Sequence, residues 1–528
     1  MKLNDILTGN YNPAEWEAKG YRLPKFDIDA VKAKTHAQPT WVHFGGGNIF
    51  RAFPAAILNE ALNSGRYDRG VIVAETFDFE VIDKVYAPFG NLSLSVSLQS
   101  SGTIEKTVIA SVTEALKADY AFPDWERLKE IFRNPSLQMI SFTITEKGYT
   151  VSPADLDRGL TPVLAMGKVA VLLLERFRAG KLPLTVQSMD NCSHNGDKVK
   201  AGILAYARRW AADGLVPAEF PDWLQDPSKV TFPWSMIDKI TPRPHAKVQE
   251  MLAADGFEDT ETFETQKHTF TAPFVNSEEV QYLVIEDNYT CGRPPLEAGG
   301  ALFTTRETVD KVETMKVTTC LNPLHTAMSL FGCLLGYTLI SAEMKDPDIR
   351  LFIQKLGYME AMPVVTDPGV LNPYEFIGAV INRRLPNPFM PDAPQRIAMD
   401  TSQKIPIRFG ETLKKYVARG LDLDNLVLIP LTLAGYARYL KGVRDDGTSF
   451  EPSPDPLVEE LMAIVAPLEV GRPDQDFSCL KELYGRKDIF AVDLYGIGLG
   501  ERIEGMAKEL FSSFGAVRST LHKYVWAR

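Results

Sequence analysis

Residues 316 to 327 read KVTTCLNPLHTA, and the chain then runs on into FGCLLGY. Lys316, Asn322 and His325 put a proton-transferring amine, an amide and an imidazole into a segment with apolar neighbours. Such groups cost free energy to bury unless they have partners. Pro323 fits the first position of a helix with Asn322 as its cap. Asn322 and His325 are three apart and share a face, while Lys316 comes from just before the break. A lone histidine in a buried helix is more often a satisfied core residue than a catalyst. The company of Lys316 and Asn322 shifts the reading toward catalysis.

Four other stretches combine polar groups with buried-looking flanks. SFTITEKGYTV carries Glu146 and Lys147, and TVQSMDNCSHNGDKV carries Asp190, Asn191, His194 and Asn195. FPWSMIDKITPRP holds Asp238, and RIAMDTSQKIPIR holds Arg396, Lys404 and Arg408. Taken singly, each fits an Asx-turn, a helix cap or a surface ion pair. The first two close β-like runs, and in a doubly wound sheet the carboxyl ends of the strands line the ligand crevice.

WVHFGGGNIFRAFPAAILNEALNSG reads as strand, glycine turn and helix. Gly45 and Gly47 permit a tight turn and close approach to a pyrophosphate, with Gly46 between them and Asn48, Ile49 and Arg51 opening the helix that faces it. Phe50 stands where the third glycine of GxGxxG belongs. The next run, GVIVAE, ends in Glu75, an acidic residue suited to the adenosine ribose hydroxyls, which favours NAD over NADP. Glu75 lies 28 residues after Gly47, so a long first helix must separate them. A plain strand-turn-helix corner, or a corner for an S-adenosyl or other nucleotide ligand, would use the same glycines.

These groups need elements to hold them. WVHFG, GVIVAE, TVIASV, MISFTIT and LTVQSMD are short strand-like runs separated by helical stretches, which predicts a mostly parallel sheet covered by helices on both faces. That signal ends with YLVIED, and NYTCGRPPLEAGGALF is the candidate boundary. Amphipathic helical patterns dominate beyond it, as in NLVLIPLTLAGYARYLKGV. The expected organisation is an α/β doubly wound domain over 1–303 and a mainly α-helical domain over 304–528.

A chain of 528 residues exceeds one hydrophobic core, which agrees with two domains. Its net charge of −11 argues against nucleic acid as a partner. No run of about 18 apolar residues suggests a membrane helix, and MKLNDILTGNYNPAEWEAKG lacks the apolar core of a secretory signal. Five scattered cysteines without CxxC suit a reducing cytoplasm and speak against a cysteine-rich zinc site.

Together, FGGGNIFRAF, TITEKGY, SMDNCSHNGD, MIDKITP, YLVIEDNY..GRPPLE, LNPLHTA and RIAMDTSQKIPIR resemble the polyol-specific long-chain dehydrogenase/reductase family, which includes mannitol 2-dehydrogenase, fructuronate reductase and tagaturonate reductase. The match runs from about residue 41 to 408, and the ordered set is far more specific than any member. The resemblance implies a Rossmann-like NAD-binding domain, a helical domain, an active site between them and no metal. It implies Lys316 as general base, Asn322 and Asn191 as a clamp on the reacting oxygen, and His325 as the residue orienting substrate hydroxyls. It also implies Asp238, Arg396 and Lys404 near the substrate. Arg384, Arg396 and Lys404 are candidates for a substrate carboxylate. The family has five steps from lysine to asparagine and this chain has six, which predicts one residue looped out before Pro323. The expected reaction is NADH reduction of fructuronate to D-mannonate, with tagaturonate or fructose as alternative substrates and an inactive nucleotide-binding sensor as an alternative of another class. Oligomeric state leaves no readable mark.

Overall fold

The structure, a computed structural model, describes residues Met1–Ala527. It divides into two units, one of Met1–Gln99 with Thr103–Asp310, the other of Ser100–Gly102 with Lys311–Arg528. The division falls between Asp310 and Lys311, inside the helix Arg306–Met315 and beyond the Gly/Pro-rich stretch.

The first unit is built on a six-stranded sheet. In spatial order its strands are Val112–Lys117, Val71–Glu75, Trp41–Phe44, Met139–Phe142, Leu184–Ser188 and Val230–Thr231. Every neighbouring pair is parallel. Counted along the chain this is the order 3-2-1-4-5-6, whose direction reverses between Trp41–Phe44 and Met139–Phe142. Parallel strands are covered on both faces, which explains why WVHF is buried at all four positions. Val42 and Phe44 pack with Ile140, Phe142 and the helices Asp124–Arg133, Ala165–Arg178 and Asn195–Ala212. Trp41 faces the other way, with Val71, Val73 and the helix Pro54–Asn63. His43 shares that face. Its Nδ1 lies 2.6 Å from Ser141 Oγ and its Nε2 2.8 Å from Thr143 Oγ1, and burial holds its pKa well below the usual histidine value. It is a neutral tie across the switch point.

TVIASV is two strands rather than one. Ile104–Ile109 joins a four-stranded sheet with Tyr21–Arg22, Ser93–Leu98 and Phe274–Glu278, and Val112–Lys117 edges the parallel sheet. MISFTIT is a strand only to Phe142, and Glu146–Tyr149 forms a 3₁₀ turn.

The second unit is helical. Leu428–Leu440 is buried at every position and packs on Asn322–Leu334 and Gly500–Phe511. A helix apolar all round belongs in a core. Its one cation, Arg438, donates to the carbonyls of Leu510, Val443 and Arg444, which fixes the turn that follows. Four π-helical turns interrupt this unit: Lys316–Cys320, Leu356–Ala361, Val380–Arg384 and Pro406–Gly410. π-turns are rare and concentrate at functional sites. The first packs against the second and the fourth.

Candidate functional site

In the first unit the site begins at the glycine turn. Gly45 has φ +102°, and a Cβ there would lie 2.6 Å from the Thr143 carbonyl oxygen, so only glycine fits. The Gly46 N–H donates to Glu75 Oε2 at 2.8 Å, and the Tyr86 hydroxyl donates to the Gly46 carbonyl at 2.8 Å. Gly47 leads into the helix Asn48–Ala52, and a Cβ at this position would meet nothing within 4 Å. The turn is held from behind and open in front.

Glu75 organises this corner. Its Oε1 accepts N–H groups from Thr76 and Phe77 at 3.0 Å and from Asp78 at 3.3 Å. Burial pushes the carboxyl above its ordinary value, and the four amides oppose that shift. A carboxylate offers about four acceptor sites; Oε2, with one amide, is the oxygen with room for a hydroxyl donor.

The sequence-named residues of the following helix divide. Ile49 lines the cleft described below. Asn48 turns to the neighbouring hairpin, donating to the Phe270 carbonyl at 3.1 Å. Arg51, expected to face phosphates, is 1% exposed and points inward, donating to Thr271 Oγ1 at 3.2 Å and the Pro273 carbonyl at 3.0 Å. Its guanidinium ties the helix to residues 271–273 through Nη1 and Nη2, while its buried Nε has no hydrogen-bond partner.

A cleft of about 580 Å³ opens at the carboxyl ends of the strands, lined by Ile49, Thr143, Thr145, Asn191, Ile237 and Lys239 among others. The loop presenting Asn191 is pinned on both sides. Asp190 Oδ1 accepts the Cys192 N–H at 2.9 Å, and its Oδ2 accepts the Ser188 hydroxyl at 2.9 Å and the Tyr149 hydroxyl. Burial raises the Asp190 carboxyl against the pull of these donors, and burial beside Asp190 pushes the Cys192 thiol up to about 12. Asn195 Nδ2 reaches the carbonyls of Asp190 and Ser235, each at 3.1 Å. Asp238 ends the strand Ser235–Asp238 at 5% exposure, between the cleft residues Ile237 and Lys239. Lys239 and Thr143 were not singled out from sequence, although each lies within a stretch that was, FPWSMIDKITPRP and SFTITEKGYTV. His194 stacks on Trp234 and meets Asp310 at 3.0 Å on the surface. Glu146 is ion-paired with Lys198.

In the second unit, Lys316 opens a π-turn closed by the Leu321 N–H donating to the Lys316 carbonyl at 3.1 Å. A π-turn holds one residue more than an α-turn, so the sixth step between Lys316 and Asn322 is taken up as helix and not as a loop. The next helix begins at Asn322 itself, with Leu321 ahead of it, so the Asn322 side chain is not the cap expected from sequence. His325 and Arg384 line one small recess with Asp392 and Ser341, and Arg384 is 2% exposed. Arg396 lies on the rim, its side chain 63% exposed and paired with Asp392. Lys404 Nζ donates to the carbonyls of Ile397 and Met399. Burial, then the charge of Arg408, lowers its pKa. Arg408, a minor member of its motif by sequence, sits beside the helix of Asn322: its Nη1 donates to the Asn322 carbonyl at 3.3 Å and to Thr326 Oγ1.

Comparison with known proteins places this architecture. Residues 39–298 match the mannitol dehydrogenase Rossmann domain, and residues 308–494 the mannitol dehydrogenase C-terminal domain. The chain belongs to the mannitol dehydrogenase family. It is 52% identical over 526 residues to the D-mannonate oxidoreductase of Thermotoga maritima, covering 97% of each chain. Among solved structures it resembles substrate-free D-sorbitol dehydrogenase, with TM-score 0.78, 24% identity, and 95% and 97% of the two chains covered. It also resembles Pseudomonas fluorescens mannitol 2-dehydrogenase in complex with NAD and D-mannitol, with TM-score 0.69, 24% identity and 99% of each chain covered. Both share the fold. Within the described residues no helix is long and apolar enough to cross a membrane.

The glycine corner fits a dinucleotide on its own geometry. The turn is open at Gly47, Gly45 admits no side chain, and Glu75 Oε2 keeps an acceptor site beyond its one amide.

Proposed function

We propose that this chain is an NAD-dependent D-mannonate oxidoreductase, reducing fructuronate to D-mannonate and running in reverse at high product. The observation that carries this reading is the 52% identity to the Thermotoga maritima enzyme across 97% of both chains. That match over nearly the full length favours a sugar acid over the neutral polyols named for relatives near 30% identity. The carboxylate of Glu75, held by four amides, supports NAD, since it would repel a 2′-phosphate.

Roles for the chain's residues follow. Gly45, Gly46 and Gly47 with Ile49 receive the cofactor, which when bound supplies the hydride to the carbonyl carbon. Lys316 gives its proton to the carbonyl oxygen as the alcohol forms, and takes it back in oxidation. Asn322 and Asn191 hydrogen-bond the reacting oxygen as negative charge develops on it. His325 orients substrate hydroxyls, and Asp238 with Arg384 supports substrate binding. Asp190 and Tyr149 act behind Asn191, holding its loop still. The five cysteines, all unbridged, fit a reducing cytoplasm.

The test is initial rate with NADH against fructuronate, tagaturonate and fructose side by side, with NADPH as a fourth arm. The highest kcat/KM is expected for fructuronate with NADH. A preference for tagaturonate or fructose replaces the substrate assignment, and NADH binding with no turnover of any ketose or ketouronate identifies a sensor instead.

A further inference from the structure

Arg408 is a cation of the second unit whose guanidinium is only partly engaged. A guanidinium has five N–H donors in a rigid fork. Both donors of its Nη1 are engaged, on the Asn322 carbonyl at 3.3 Å and on Thr326 Oγ1. Both acceptors are uncharged. The opposite edge, Nε with Nη2, has no partner among the described residues, and Arg408 takes part in no ion pair there. That edge presents two parallel N–H donors of the kind that bind a carboxylate bidentately.

The neighbourhood strengthens this reading. Burial pushes the Arg408 pKa down to about 10, with no acidic side chain opposing it. Lys404, one turn earlier, feels the Arg408 charge as repulsion. Asp400 and Asp455 offset part of the Lys404 charge, whereas no carboxylate acts on Arg408, which leaves its guanidinium as the place for an anion. Of the other candidate cations, Arg396 is paired with Asp392 on the exposed rim and Lys404 donates to two carbonyls, while Arg384 is 2% exposed in the recess beside His325. Arg408 also lies on the π-turn Pro406–Gly410, packed against the π-turn Lys316–Cys320, and is anchored to the residue proposed to clamp the reacting oxygen.

We propose that the Nε–Nη2 edge of Arg408 binds the carboxylate of the sugar acid, and that this contact separates uronates from neutral ketoses. The proposal rests on the sugar-acid reading above. In fructuronate the ketone and the carboxylate lie toward opposite ends of one six-carbon chain. A cation anchored to the Asn322 peptide therefore fixes how far that chain can reach. A neutral ketose offers a hydroxymethyl group at the same place and gains no charge-assisted fork.

The experiment compares Arg408→Gln and Arg408→Lys with the unaltered enzyme, using NADH with fructuronate and with fructose. NADH affinity and melting temperature are read alongside. Arg408→Gln is expected to lower kcat/KM for fructuronate by about 100-fold, mainly through KM, as loss of a buried charged hydrogen-bond partner does. Fructose should change by less than about tenfold. If fructose turnover is below detection, kcat at saturating fructuronate is the control and should fall by less than about tenfold. Arg408→Lys keeps the charge without the fork and should fall between the two. Equal losses for both substrates, or a loss confined to kcat, mean that Arg408 only supports the Asn322 helix and overturn the proposal. So does an unchanged KM for fructuronate. An unaltered enzyme that reduces fructose but no ketouronate overturns the sugar-acid reading, and the Arg408 assignment with it.

Discussion

Glu343 should make this protein lose stability as pH rises, and Glu343→Gln should abolish that loss. Glu343 is 0% exposed, and neither carboxyl oxygen has a hydrogen-bond partner. It lies against the helix Asn322–Leu334 at Gly332, where a Cβ would sit 2.3 Å from Glu343 Oε1. Burial, reinforced by the charge of Asp346, raises its pKa well above 4.5. The fold therefore holds a proton that the unfolded chain releases above about pH 4.5. A group raised in this way destabilises the fold progressively as pH increases, by about 1.4 kcal/mol per pH unit while the carboxyl stays protonated in the fold. The penalty grows with pH for as long as the unfolded chain has released this proton and the fold still holds it. Gln has nearly the same shape and no proton to lose, so the stability of the variant minus that of the wild type should climb with pH at up to that slope. Other titrating groups cancel in the difference. Urea unfolding of both proteins at half-unit pH steps, followed by circular dichroism, measures it. A difference that stays flat with pH would refute the reasoning, because the carboxyl would then be ionised or solvated in the fold.

Two further outcomes follow from the first unit. Gly45→Ala places a Cβ 2.6 Å from the Thr143 carbonyl at φ +102°, so it should destabilise by about 1–3 kcal/mol and raise the NADH dissociation constant; denaturation and NADH fluorescence check the two separately. Asp190→Ala removes the acceptor for the Cys192 N–H and for the Ser188 and Tyr149 hydroxyls. Loosening the Asn191 loop should lower kcat more than NADH affinity, at a stability cost of about 1–3 kcal/mol, and parallel kinetics and unfolding would show whether the two effects separate.

Sequence alone exposed what rests on local covalent geometry and on burial pattern. The turn at Gly45 is readable because positive φ beside another backbone demands glycine, and WVHF is readable because a strand covered on both faces is buried throughout and mostly apolar. What escaped depends on distant partners. Arg51 follows a glycine loop and reads as a phosphate ligand; only the approach of Thr271 and Pro273, more than two hundred residues on, turns it inward. TVIASV looks like one strand because nothing in its hydropathy marks that its halves join different sheets. The π-turn at Lys316 has no periodic signature, although the extra step to Asn322 was its trace. Arg408 sat in a recognised motif, but its open edge becomes visible only once both donors of Nη1 are accounted for.

The most direct measurement for the whole account is Lys316→Met, assayed for NADH reduction of fructuronate and for NADH binding on the same preparation. Removing the proposed proton donor should cut kcat by at least about 100-fold, with NADH affinity and melting temperature near those of the unaltered protein. Turnover within a fewfold of the wild type would contradict the assignment of Lys316 and the mechanism built on it.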